Sequence, residues 1–136
     1  MIAFTTALYQ EAMADSALIA LIGDRFYEIM APQNTGLPYV VYSVISDVNT
    51  PTFTEKLESV RVQFSVVSRE DYSTETLNII AALEKIFDDL TKLNTGSTGR
   101  IESFTRVTKF YDQIRAENGD EEWNGYLDYD VLYQIF

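Results

Sequence analysis

The chain has 136 residues, 46% of them hydrophobic and 13% aromatic, which suits one compact core and is short for two. Ten lysines and arginines stand against 21 aspartates and glutamates, a formal charge of −11, and the chain has no histidine and no cysteine. The acidic balance repels phosphate backbones, while the missing residues rule out disulfides, thiolate nucleophiles, sulfur-bound zinc and the commonest proton shuttle near neutral pH. No apolar run approaches the ~18 residues of a membrane span. Residues 1–10 contain no lysine or arginine and no cleavage-type segment, so a soluble protein without a secretory signal, folded in a cytoplasm, is expected.

Residues 2–13 place Phe4 and Leu8, with Ala3, Ala7 and Ala12, at the three- and four-residue intervals of an amphipathic helix. Asp15 suits the N-cap of a second helix over 16–22, because its carboxylate can accept from first-turn amides. Gly23 closes that helix where a left-handed residue usually sits. A short strand is expected over 25–30 (RFYEIM). The run 31–46 (APQNTGLPYVVYSVIS) then aims the next strand: Pro32 and Pro38 fix φ, and Asn34 and Gly36 tolerate the left-handed angles of a tight reversal. From Tyr39 onward Tyr39, Val41 and Ile45 share one face and Val40, Tyr42 and Val44 the other, so this strand is predicted to be covered on both sides.

Residues 47–58 (DVNTPTFTEKLE) read as a polar connection holding a lone apolar Phe53. Connections this long are either mobile tips or binding elements. Over 59–68 (SVRVQFSVVS) Val60, Val62, Phe64 and Val66 alternate inward against Arg61, Gln63 and Ser65, which predicts an antiparallel partner for 39–46. The strongest helix begins at Ser73 or Thr74 and runs to Leu90. Its expected apolar stripe is Leu77, Ile80, Ala81, Leu83, Phe87 and Leu90, with Glu75, Asn78, Glu84, Lys85 and Asp88 toward water. Asp88 and Asp89 sit near its C-terminus, where the dipole disfavours them and Lys92 offsets the charge. Residues 94–99 (NTGSTG) lack the lysine and spacing of a phosphate-binding loop and read as a connector. Strands over 101–115 and 123–136 flank 116–122 (AENGDEE), whose Asn118–Gly119 pair signals a turn. At ~3.3 Å per residue such a hairpin spans about 40 Å, so part of it is expected to project. These elements make a single α+β domain over 1–136: an antiparallel sheet of about four or five strands, packed by the 74–90 helix and the N-terminal helices, with a long C-terminal hairpin.

Asp128 and Asp130 share a strand face, as a divalent-ion or general-acid pair would. Alternating acids on the outside of a sheet are ordinary solvation, however, and no nucleophile or base lies nearby, so no catalytic, cofactor-binding or metal residue is expected. The charge of the last hairpin is uneven. Arg100, Arg106, Lys109 and Arg115 lie on its first arm, and Glu117, Asp120, Glu121, Glu122, Asp128 and Asp130 on the turn and second arm. Cross-strand pairs would stabilise the hairpin by about a few tenths of a kcal/mol each. Alternatively, a positive edge on one copy meets a negative edge on the next, a head-to-tail contact that generates rings when the rotation closes. Trp123 either packs against the sheet or anchors an interface. With Phe53, these four cations and the acids from Glu117 to Glu122, it completes the candidate protein interface.

Four stretches in order carry a likeness: 15–27 (DSALIALIGDRFY) after a helical N-terminus, 31–42 (APQNTGLPYVVY), 60–90 beginning VRVQFSVVSREDYSTET, and the hairpin rich in Tyr and Phe. Together they resemble, over nearly the whole chain, the tail-completion family of long-tailed bacteriophages, the tail terminator or tail-to-head joining proteins. Pro38–Tyr39 and the strand-to-helix junction through Ser68, Asp71 and Tyr72 are the most telling pieces.

The resemblance implies a structural virion protein at the head–tail interface, assembled in the host cytoplasm as a hexameric ring. Its implied partners are further copies of itself, the tail tube protein and the head connector or stopper, with no cofactor, no membrane and no specific nucleic-acid binding. Family motif positions serve the fold, so no active-site residue is carried over. Six copies of a chain carrying −11 each would surround DNA with a negative lumen to which it does not stick. The 47–58 and 116–123 segments are expected to order on assembly, and the lack of a sustained exposed apolar stripe is compatible with a monomeric free subunit. The alternatives are a head-completion or stopper protein, a small acidic enzyme working with carboxylates alone, and an acidic mimic that inhibits nucleic-acid-binding proteins.

Overall fold

The alternation of Val60, Val62, Phe64 and Val66 sets the architecture, because four consecutive inward side chains on one strand require a layer to lie on. The computed structural model describes residues 2–49, 56–69, 73–88, 90–95, 99–115 and 121–136. Its elements are α1 (Ile2–Met13), α2 (Ser16–Ile22), β1 (Phe26–Glu28), β2 (Tyr39–Asn49), β3 (Lys56–Arg69), α3 (Ser73–Phe87), β4 (Thr91–Asn94), β5 (Gly99–Arg115) and β6 (Glu121–Ile135). The strands form one sheet in the order β1-β2-β3-β6-β5-β4, and the helices pack on a single face of it. The α+β class and the long C-terminal hairpin are as the sequence predicts.

Local chemistry accounts for the N-terminal half. Leu18 N donates to Asp15 Oδ1 at 2.9 Å, the expected N-cap of α2, and Gly23 takes φ 64° as it closes the helix. In the loop that follows, Asn34 adopts φ 64°, whereas Gly36 does not use the left-handed region open to it. The Leu37–Pro38 bond is cis. That loop returns the chain far enough for β1 to pair parallel with β2, Phe26 opposite Val40, while every other described pair is antiparallel. β4 widens the sheet beyond the expected four or five strands. Its four residues carry no strand period of their own and are held by pairing with β5 at Ser103, Ile101 and Arg100.

Three expectations about packing are corrected. β2 is buried on one face only: Val40 and Tyr42 are in the core, but Tyr39 and Val41 are half-buried and Ile45 is exposed. A register shift between Val44 and Ser46 leaves Ile45 outside the ladder. The described ends of the 47–58 connection are strand, since Asp47, Val48 and Asn49 pair with Val60, Ser59 and Glu58; residues 50–55, Phe53 among them, lie outside the described residues. The stripe of α3 keeps Ile80, Leu83 and Phe87 but shifts to the side of Thr76 and Ile79. Thr76, Ile79, Ile80, Leu83 and Phe87 face the sheet, and Leu77 and Ala81 face out.

The turn of α3 follows from two contacts. Gly125 on β6 admits the helix closely, since a Cβ there would stand 2.8 Å from Thr76 Cγ2 and 3.2 Å from Ile80. The Thr76 hydroxyl is also hydrogen-bonded to that of Ser68 on β3, which satisfies a buried polar group and fixes the helix rotation. Beneath it Phe64 stacks on Phe87 with centroids 4.8 Å apart, and Tyr129 meets Phe64 edge-on at 6.0 Å.

Phe87→Ala is therefore expected to cost about 3–5 kcal/mol by urea unfolding, and Leu77→Ala no more than about 0.5 kcal/mol. Equal costs at the two positions would restore the stripe read from the sequence.

Candidate functional site

Among the described side chains, the hairpin cations Arg100, Arg106 and Lys109 do not form a free positive edge. Arg106 Nη1 donates to Glu84 Oε2 at 2.6 Å and lies 3.8 Å from Asp88, and Lys109 Nζ donates to Glu84 Oε1 at 2.8 Å. Two cations of β5 are thus drawn to α3. The Glu84 hydrogen bond holds the Lys109 ammonium above its ordinary pKa. Tyr129 donates to Asp88 Oδ1 at 2.5 Å, and burial followed by that carboxylate raises the phenol strongly. Asp88 is therefore held by Tyr129 and Arg106, and the Lys92 side chain expected to offset its charge lies outside the described residues. Arg100 is bound to Glu102 at 2.7 Å and to Gln134 at 3.3 Å, with its guanidinium 6.0 Å from the Phe136 ring centre.

The acidic half of the expected interface is placed less fully. Glu117 and Asp120 lie outside the described residues. Glu121 sits opposite Arg115 and Glu122 opposite Ile114 in the β5–β6 register. Trp123 is half-buried, opposite Ser68 on one side and Gln113 on the other. Phe53, Glu117 and Asp120 apart, the candidate residues converge on the β5–β6 hairpin, but Arg100, Arg106 and Lys109 are turned toward this chain's own acids, and the Arg115 side chain lies outside the described residues.

Two surfaces that the sequence did not single out are the ones left open. The first is the sheet face opposite the helices. Its centre is polar, with Arg61 Nε on Asp130 Oδ1 at 3.2 Å, and with Gln63 and Thr108 at the positions flanking Asp128. Asp128 is not the solvated acid expected. It is 8% exposed, and its Oδ1 has no hydrogen-bond partner. The second is the pair of strand edges. Residues 45–49 of β2 and 105–112 of β5 are all exposed, among them Ile45, Val48, Val107, Phe110 and Tyr111. The sequence carried a signal for these in apolar residues at positions outside any inward alternation.

At the β2–β3 end of the sheet, Asp47 and Glu58 crowd one another. Burial and a hydrogen bond with Asp47 raise the Glu58 carboxyl above its ordinary value. Among the described residues no group of three or more carboxylates could hold a metal ion, and no helix is long and apolar enough to cross a membrane.

A family profile described as tail completion protein gp17 matches residues 6–116. A solved chain from the virion of a native gene transfer agent particle superposes with a TM-score of 0.71 at 19% identity, covering 96% of this chain and 92% of that one, which is a likeness of fold. A second solved chain, also 19% identical over 96% of this chain and 91% of its own, reaches a TM-score of 0.49. No curated protein matches the sequence.

The raised Glu58 carboxyl gives a pH signature. A carboxyl whose pKa is higher folded than unfolded favours the protonated fold, so the stability it supports is present at low pH and is lost as pH rises through the raised value. Glu58→Gln is accordingly expected to raise Tm at pH ~7, with the gain vanishing near pH ~4, where an ordinary glutamate is half protonated. A gain that is the same at both pH values would remove the like-charge account.

Proposed function

The chain belongs to the tail completion protein gp17 family, a family of structural virion proteins and not of enzymes, and from that membership we propose that its copies form a ring, of six subunits, that ends the tail tube and joins it to the head connector. The observation that carries this reading is the one-sided sheet. The helices lie on one face, and the opposite face is polar at its centre, where it holds Asp128 and Asp130 against Arg61. A face of that chemistry suits the wall of a water-filled passage better than a protein contact, whose core is depleted in charge. Its acids also keep a passing phosphate backbone from adhering. The fold neighbour from a gene transfer agent virion supports a place in a particle of the same general kind.

Native mass spectrometry and negative-stain imaging, on the chain alone and on the chain mixed with uncapped tail tubes, test the proposal. The expected result is a closed six-fold ring at one end of the tube. A chain that remains monomeric in both samples and leaves tube ends bare overturns it, and one that caps connectors but not tubes is a stopper instead. Asp130→Lys, on the uncovered face, is expected to leave rings intact and to slow DNA release from assembled particles. Unchanged release would remove the channel-lining role.

A further inference from the structure

Each end of the sheet leaves part of a long strand without a neighbour. β1 covers β2 only at residues 40–42, with Ile29 N donating to Tyr42 O at 2.8 Å, and no described strand lies beside residues 43–49. β4 covers β5 only as far as Ser103, followed by Phe104 N donating to Leu90 O at 3.0 Å, and no described strand lies beside residues 105–111. Long free edges bearing apolar side chains invite pairing with another strand. On β2 those side chains are Ile45 and Val48, and on β5 they are Val107, Phe110 and Tyr111.

We propose that neighbouring copies in the ring join edge to edge, residues 107–111 of β5 in one copy pairing antiparallel with residues 45–49 of β2 in the next. The inference rests on the ring reading above and supplies its seam. Strand direction is the first support. The β2–β3, β3–β6 and β6–β5 steps are all antiparallel, so β5 runs opposite to β2, and a ring rotation brings the next β2 alongside with that opposition kept.

Facing is the second support. Ser46 and Val48 pair with Arg61 and Ser59, and Thr108 and Phe110 with Asp128 and Tyr126, all on the uncovered face. A register of Val48 opposite Thr108 and Ser46 opposite Phe110 carries that face unbroken across the seam, whereas a slip of one residue would invert it. Charge is the third. The same register sets Asp47 opposite Lys109 on the helix side, so the crowded Asp47–Glu58 pair meets the Arg106–Lys109 pair. An ammonium has three donors, and Lys109 can keep Glu84 while reaching a second carboxylate.

The stagger is the fourth support. Within one chain Val48 is level with Ser59, Leu132 and Ser103, yet in the seam it faces Thr108. That offset, which includes the bulge between Arg106 and Thr108, amounts to ~13–16 Å along the strand. Spread over the four strands β2, β3, β6 and β5 at ~4.8 Å spacing, it tilts the strands by about 35–40°, within the range that closed barrels require. β1 and β4 cover the other two corners of the sheet and stay clear of this seam. Four strands from each of six copies exceed the number at which barrels enclose an aqueous channel.

The chain has no cysteine, so a disulfide tests the seam. Within one chain Val48 and Thr108 are separated by three strand spacings across the sheet and by the same ~13–16 Å stagger along it, ~20 Å in all, beyond disulfide reach. Rings of the Val48→Cys, Thr108→Cys double variant, oxidised, are expected to run as a ladder of linked chains that collapses on reduction, and each single variant as monomer. In unsubstituted rings mixed from isotopically light and heavy copies, a zero-length carbodiimide link from Asp47 to Lys109 should join light to heavy. Intact rings giving neither product overturn the seam and leave the ring reading standing, whereas failure of the unsubstituted chain to form rings removes both. A link between Gln63→Cys and Ala81→Cys would seat one copy's α3 on the next copy's uncovered face, and would also overturn it. Ile45→Lys, at a 54% exposed position, should leave the Tm of the free subunit unchanged and abolish the ring; rings that persist count against the seam.

Discussion

The fold depends on burying one face of a sheet and leaving the other bare. Phe64, Phe87, Phe104 and Tyr129 meet at centroid distances of 4.8–6.4 Å, and the inward residues of β3 close the rest of that layer. Such a cluster gains both apolar burial and ring geometry. Once α3 is seated on it, with Gly125 admitting the helix and Ser68 holding Thr76, the helical layer is complete. The opposite face carries polar side chains at its centre, Arg61, Gln63, Thr108 and Asp130 among them.

Charge in this molecule is spent inward before it is offered outward. Glu84 collects Arg106 and Lys109 and so ties the exposed stretch of β5 back to α3. Pairs this exposed contribute about 1 kcal/mol or less, so they orient a strand edge more than they stabilise it. The effect is to fasten β5 to α3 beyond the reach of β4. Asp128, buried with an oxygen lacking a partner, is the counterexample: an acid kept on the uncovered face at a cost to the isolated subunit.

Membership in a tail completion family places the chain among structural components of the virion tail, and the distribution of surface types is consistent with that. A polar face, two staggered free edges running in opposite directions, and helices gathered to one side are features of a part that gains neighbours.

The helices, β3 and the hairpin were legible in the sequence because each rests on a local rule. Helix spacing in 2–13, the Asp15 cap, the Gly23 stop and the strict alternation of 59–68 involve neighbours a few residues apart, and the absence of histidine and cysteine fixed in advance what chemistry was missing. What the sequence left open depends on distant partners. The rotation of α3 is set by Gly125 and Ser68, β4 exists because β5 offers it a ladder, and β1 pairs parallel because the 29–38 loop returns it beside β2. Which cations are free was decided by Glu84, more than twenty residues from Arg106. Local order follows from period and capping, whereas partner choice follows from which surfaces the folded chain brings together, and only the tertiary structure holds that information.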